Sequence, residues 1–221
     1  MFRKIIFFSI WLAFIAYAFL LAPPDRPDTL ELIKNLSAGN WDGINPLVIA
    51  LFNLMGIWPA VYGCLLFADG RGQKIGAWPF VLGSFGLGAF ALLPYLALRQ
   101  PNREFVGEKN LSIRVWDSRI LAIVLTVAAA VLIVYGLREG NWADFVVQWQ
   151  SRRFIHVMSL DFCLLSVLFP TLLGDDMAKR GMSGSIAWWV ISVVPLLGPL
   201  AYLCVRSPLP ESMELESSAV N

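Results

Sequence analysis

A chain of 221 residues that is 57% hydrophobic, 15% charged and of mean hydropathy +0.65 lacks the polar surface of a soluble domain, which is about a quarter charged, so its apolar side chains must face lipid. A formal net charge of +1 with no Lys/Arg block leaves no footprint for nucleic acid. Cys64, Cys163 and Cys204 lie in apolar runs without a CxxC, and the single His156 rules out bis-histidine haem ligation and HExxH within one chain, so neither a metal nor a cofactor is predicted.

Six runs approach the roughly 20 apolar residues that cross a bilayer: 5–22, 47–67, 80–98, 120–137, 155–173 and 186–205. The first follows Arg3 and Lys4 as a secretory signal would. It is longer than the roughly 7 to 15 apolar residues of such a signal and is followed by Pro23 and Pro24, so it is predicted to be a retained helix. "PDTLELIKNL" places Leu30, Ile33 and Leu36 at helical spacing behind Asp28 and Glu31, and reads as a helix on the membrane surface. "ADFVVQWQSRRF", with Phe145, Trp149 and Phe154 beside Arg152 and Arg153, reads as a second one. Trp41, Trp78, Trp116, Trp142 and Trp149 fall at the ends of runs, where indole rings anchor at the headgroup level. "GSFGLG" from Gly83 precedes a helical run rather than following a strand, so it is a close-packing element and not a phosphate loop.

The chain repeats itself. "YLALRQP" and "YLCVRSP" align Tyr95 with Tyr202 and Arg99 with Arg206 at an offset of 107 residues, and Asp69 and Asp176 obey the same offset. "GNW" recurs at Gly39 and Gly140. The shared order of run, GNW loop, run, Asp loop, run and YLxxRxP indicates a duplication, with one copy over about 5–101, the other over about 120–208, and an acidic tail over 209–221. Three crossings per copy would put the second copy upside down, so the predicted fold is an all-α polytopic membrane protein of six transmembrane helices in two inverted three-helix repeats. Under that arrangement Lys and Arg divide eight against nine between the two sides, and the positive-inside rule gives no orientation.

The second half, "REGNW…SLDFCLLSVLF…DDMAKRGM…WW…PLLGPLAYLCVR", resembles a family of small three-helix membrane proteins classed as a domain of unknown function. The resemblance covers roughly 120–208 and rests on the Trp-containing loop, the Asp-aromatic pair, the RGM turn and the YLCVR end. The first half is similar in flavour to integral membrane proteins of cyanobacteria and chloroplasts. What this implies is the architecture and a plasma or thylakoid membrane location, with no activity attached.

Asp161 is the one acidic residue well inside a run, and an ionised carboxylate there costs about 2.5 to 3.5 kcal/mol unless compensated. Asn53 is its counterpart in the first copy, and inverted copies would set the two across a small cavity near the midplane. Pro59 and Pro170 interrupt the second run of each copy, and Pro94 and the pair Pro195 and Pro199 the third; paired interruptions are the pattern of a site built on broken helices. No nucleophile, base or metal set is present to suggest an enzyme. The expected role is an accessory or assembly factor of a larger membrane complex, with lipid and other membrane subunits as partners. The alternative is a small carrier of a lipophilic or ionic substrate.

Overall fold

The computed structural model describes residues 2–183, 186–192 and 194–211, and every regular element among them is helical. Helix α1 (Phe2–Ala16) ends in a turn of π-helix (Tyr17–Leu21), and Pro23 and Pro24, which carry no N–H donor, stop it. The surface helix α2 (Thr29–Ala38) closes on Gly39 in the left-handed region (φ 79°), a common helix stop. Asn45 then caps α3 (Pro46–Asp69) by accepting from Leu47 N–H at 3.0 Å, with Pro46 pre-set for the first turn.

The third apolar run does not continue as one helix. It forms α4 (Trp78–Leu87) and α5 (Ala89–Leu98), separated by Gly88 at φ 51°, ψ −130°, a conformation open only to glycine. Both outer ends of this pair meet. Gln73 Nε2 donates to Gln100 O at 2.7 Å and Gln100 N–H to Gln73 Oε1 at 2.9 Å, so α4 and α5 form a hairpin that returns to where it began.

The second half follows the same order. A short α6 (Leu111–Trp116) leads to α7 (Arg119–Glu139), capped by Ser118, and the surface helix α8 (Trp142–Ser151) is capped by Asn141. Helices α9 (Arg153–Leu168) and α10 (Pro170–Lys179) meet at the break that Pro170 imposes; α11 (Ile186–Ser192) and α12 (Leu197–Val205) then form the second hairpin. Its outer ends are tied by Arg180, which donates to Ser207 O at 2.6 Å. Residues 180 and 207 are 73 and 100 shifted by the repeat offset.

Four stretches are long and apolar enough to cross a membrane: Phe2–Leu21, Pro46–Asp69, Arg119–Glu139 and Arg153–Lys179. Of the six expected spans these four meet that length, and the other two runs are broken into shorter helices, a ten-residue helix rising only about 15 Å against a hydrocarbon layer of about 30 Å. The inverted arrangement is not confirmed by the contacts at the two ends of the bundle. The end of α3, the end of α10 and both hairpin ends share one polar face, where Arg99 reaches both Asp69 and Asp175. The two GNW loops share the opposite face, where Asn45 donates to Asn141 O and to Asp144, each at 2.7 Å. Asp69, Arg99 and Asp175 thus lie at one end of the bundle, and Asn45 and Asn141 meet at the other.

Helix α3 is the centre of the bundle, against α7 on one side and α9 on another; α1 packs on α5 as α7 packs on α12. The buried residues of α7 are Ala122, Ala129 and Gly136, seven apart, a seam of small side chains that admits α3 closely. A Cβ on Gly136 would stand 2.7 Å from Ala50 Cβ. The outward stripe of Ile120, Val124, Val127, Val131 and Val134 is exposed, as a lipid-facing helix requires.

Single cysteines placed at Gln73 and Ser183 in a background lacking Cys64, Cys163 and Cys204 should react with an impermeant maleimide from one side of sealed vesicles, and a cysteine at Asp42 from the other. Reaction of residues 73 and 183 from opposite sides would restore the inverted repeat.

Candidate functional site

Two constructions bring chemistry-bearing side chains together. The first is an ionic layer on the hairpin face. Asp69, at the end of α3, accepts from Tyr95 Oη at 2.9 Å, from Arg99 Nε at 2.7 Å and from Arg99 Nη2 at 2.5 Å. Tyr95 and Arg99 lie one turn apart on α5, so one helix face delivers both. In the second copy Asp176 accepts from Tyr202 Oη at 2.7 Å, while Arg206 stands back at 3.4 Å. Arg180, four residues after Asp176, makes the fork instead, at 2.9 and 3.2 Å.

The two triads are stitched together by residues the sequence did not flag. Asp175, next to Asp176, takes Arg99 Nη2 of the other copy at 2.6 Å, and Lys179 donates to Asp69 at 3.2 Å and to Asn102 O at 2.6 Å. Asp117, just before α7, holds Arg180 at 2.6 Å and Lys109 at 2.8 Å. Arg3 of α1 donates to Arg99 O. Burial alone would push the Asp117 carboxyl up, but the Arg180 charge and the bonds from Lys109, the Leu209 N–H and Arg180 outweigh it, and the group lies below the ordinary carboxylate range. The layer pairs Asp69, Asp117, Asp175 and Asp176 with Arg99, Lys109, Lys179 and Arg180 and ties the two halves of the chain together.

A signal for the missed residues was present in "DDMAKR". Read as a loop, it is a helical turn in which Asp175 and Asp176 precede Lys179 and Arg180 by four residues, the spacing of ion pairs along a helix.

The second construction is a cavity of about 630 Å³ between the π-helical end of α1, α3, the tip of the first hairpin and α9. Its walls include Trp11, Phe52, Phe90 and Phe154, and Asp25, Thr29 and Arg153 stand at the GNW-face end. Its inner end is Asp161 beside Gly88. Asp161 is 5% exposed, and its Oδ1 accepts from Ala89 N–H, the first residue of α5, at 2.8 Å. That helix start would otherwise leave unpaired donors inside the protein. A Cβ at Gly88 would overlap the carboxylate. Oδ2 has no hydrogen-bond partner among the described residues, and the only sealed polar side-chain atom without a partner there is Trp58 Nε1. Oδ2 is therefore not sealed, and it lies against Gly88, which lines the cavity as Asp161 does.

Asn53, paired with Asp161 at the sequence level, does not join it: the amide is half-buried and donates back to Ile49 O at 2.8 Å, while its neighbours Phe52 and Met55 line the cavity. Pro59 and Pro94 lie inside α3 and α5, Pro170 opens α10, and Pro195 and Pro199 flank the start of α12. The break that shapes the cavity is at Gly88, not at a proline. No group of three or more His, Cys, Asp or Glu that could hold a metal occurs among the described residues. No family profile, curated protein or solved structure matches the chain.

Asp69→Ala leaves Arg99 and Lys179 buried beside an empty acceptor, and should destabilise the purified protein by about 3 to 5 kcal/mol, against at most about 1 kcal/mol for Asp28→Ala in the half-exposed pair with Arg152. Comparing their thermal midpoints in detergent checks this. Asp117 contributes stability that is present above its unfolded value of about 3.9 and is lost as the pH falls through its lower folded value. Melting of the parent should accordingly steepen with acid below about pH 4, and Asp117→Asn should melt lower at neutral pH with a shallower acid dependence. Identical acid slopes would remove Asp117 from the account.

Proposed function

We propose that this is a four-span membrane protein with two re-entrant hairpins that binds and carries a lipophilic molecule in the cavity between its halves. Support for the topology comes from recounting charge. Arg26, Lys34, Arg138, Arg152 and Arg153 belong to the GNW face, and the other 12 of the 17 Lys and Arg residues belong to the hairpin face. An excess of 12 to five, in place of the balance of the six-span arrangement, supports a hairpin face on the cytoplasmic or equivalent side. We further propose that each copy is kin to the three-helix domain its second half resembles, with the third helix folded as a hairpin.

The cavity carries the functional reading. Its volume falls within the range of about 300 to 1,000 Å³ typical of small-molecule sites, its lining is mainly apolar, and its polar groups stand at the two ends. From Arg153 to Asp161 is eight residues along α9, a depth of roughly 12 Å. An accessory factor needs no such space. Gly86 lines the cavity and has no atom near its Cβ direction, so Gly86→Phe should fill it without strain.

Protein purified in mild detergent and extracted with organic solvent should yield about one lipophilic molecule per chain, and Gly86→Phe should yield several-fold less at the same melting temperature. Equal recovery from both, with partner subunits co-purifying equally, would return the protein to the assembly role.

A further inference from the structure

We infer that the molecule bound in this cavity is a long-chain alcohol or phenol whose hydroxyl bonds Asp161 Oδ2. The inference rests on the cavity being a ligand site and names the chemistry of the occupant. Asp161 is almost wholly buried and lines the cavity beside Gly88; Oδ1 is committed to Ala89 N–H at 2.8 Å, and Oδ2, which lies against Gly88, has no protein partner among the described residues. A buried carboxylate with one oxygen idle is costly, and the walls around it are apolar. A hydroxyl on the occupant satisfies it without drawing water in between the apolar walls.

A hydroxyl meets that demand in either protonation state of Asp161, donating to a carboxylate and accepting from a carboxylic acid. An ether or ketone can only accept, and a hydrocarbon can do neither. An ammonium would also donate, but it would bring its own desolvation cost into the apolar walls. One donor at the tip of an apolar chain matches a cavity with one polar atom at its inner end and hydrophobic sides.

The Ala89 bond fixes the consequence of Asp161→Asn. The amide oxygen takes over the Ala89 N–H and the amide nitrogen then faces the cavity, so a donor replaces an acceptor. This variant keeps the cap of α5 and inverts what the occupant must supply.

The test is displacement of radiolabelled dodecanol from the full chain in detergent micelles by unlabelled dodecanol, dodecyl methyl ether and dodecane. At alkaline pH, with Asp161 ionised and acceptor-only, dodecanol should bind the parent on the order of ten- to a hundredfold more tightly than the ether or the alkane. In Asp161→Asn the alcohol and the ether should come within about threefold of each other. If all three compounds displace the label equally well from the parent, the cavity binds lipid but the hydroxyl inference is overturned. If the label binds the parent no better than empty micelles, or binds Gly86→Phe equally well, the cavity reading itself falls. Should Asp161→Asn fail to give monodisperse protein, the parent's ranking of the three compounds still decides.

Discussion

The arrangement of this molecule depends on one constraint: a carboxylate buried at the end of a spanning helix must find its counter-charge within the protein. Asp69 ends α3, and its partner, Arg99, lies 30 residues later, beyond an apolar run long enough to cross the bilayer. If that run crossed, the pair would be separated by the full membrane thickness. Because the pair forms, the run must turn back, and Gly88 is where it turns. Buried ion pairs add little net stability relative to a packed apolar alternative, since desolvation offsets their attraction. What this pair does is choose between two folds of the same apolar segment. In the second half it is Tyr202, from the last apolar run, that reaches back to Asp176, at 2.7 Å.

The two triads have diverged in a way that binds the copies together. Gln73 in the first copy closes its hairpin by a neutral exchange with Gln100, whereas Arg180, its counterpart, closes the second by a charged bond to Ser207 and also occupies Asp176. Arg206 is thereby displaced towards Cys64 O and Trp116 O, at 3.0 and 3.2 Å, and fastens the second hairpin to α3 and to the linker. Asp175 does the reverse, reaching from α10 into the first triad. Neighbouring side chains on one helix thus serve both halves of the chain, and the halves fold as one body.

Much of this was legible in the sequence, and the part that was not has a physical reason. The two surface helices are local features, and the matching of Asp69 with Asp176, Tyr95 with Tyr202 and Arg99 with Arg206 by offset picked out the residues that meet in the ionic layer. Span count was not legible from hydropathy. A hairpin with its tip in the hydrocarbon and a helix that crosses it need the same apolar composition, and 21 residues from Trp78 to Leu98 satisfy both. The information that separates them is long-range: Asp69 and Arg99 recur together in both copies, which suits charges on one face and not charges on two. Gly88 carried the break, but a glycine within an apolar run reads equally well as a close-packing residue, and Ser84 four positions earlier favoured that reading. Asp161 was visible as an anomaly; its partner, a backbone N–H in another element, has no side chain by which a sequence could announce it.

The cavity and its single acid follow from the same turn. A hairpin that penetrates only part of the bilayer leaves space between its tip and the far face, bounded here by the end of α1, by α3 and by α9. It also exposes the start of α5, whose first N–H groups cannot be satisfied by hydrocarbon. A carboxylate on a neighbouring helix supplies the acceptor, and the partial positive charge at a helix start favours an anion there. Asp161 is thus explained by the hairpin, without appeal to function. A carboxylate has two oxygens, however, and α5 uses one of them. The asparagine at the corresponding place in the first copy is turned back onto its own helix at Ile49 O and offers nothing to a neighbour. The residual acceptor is therefore specific to the second copy's helix against the first copy's hairpin. The hydroxyl preference proposed for the cavity follows from that asymmetry.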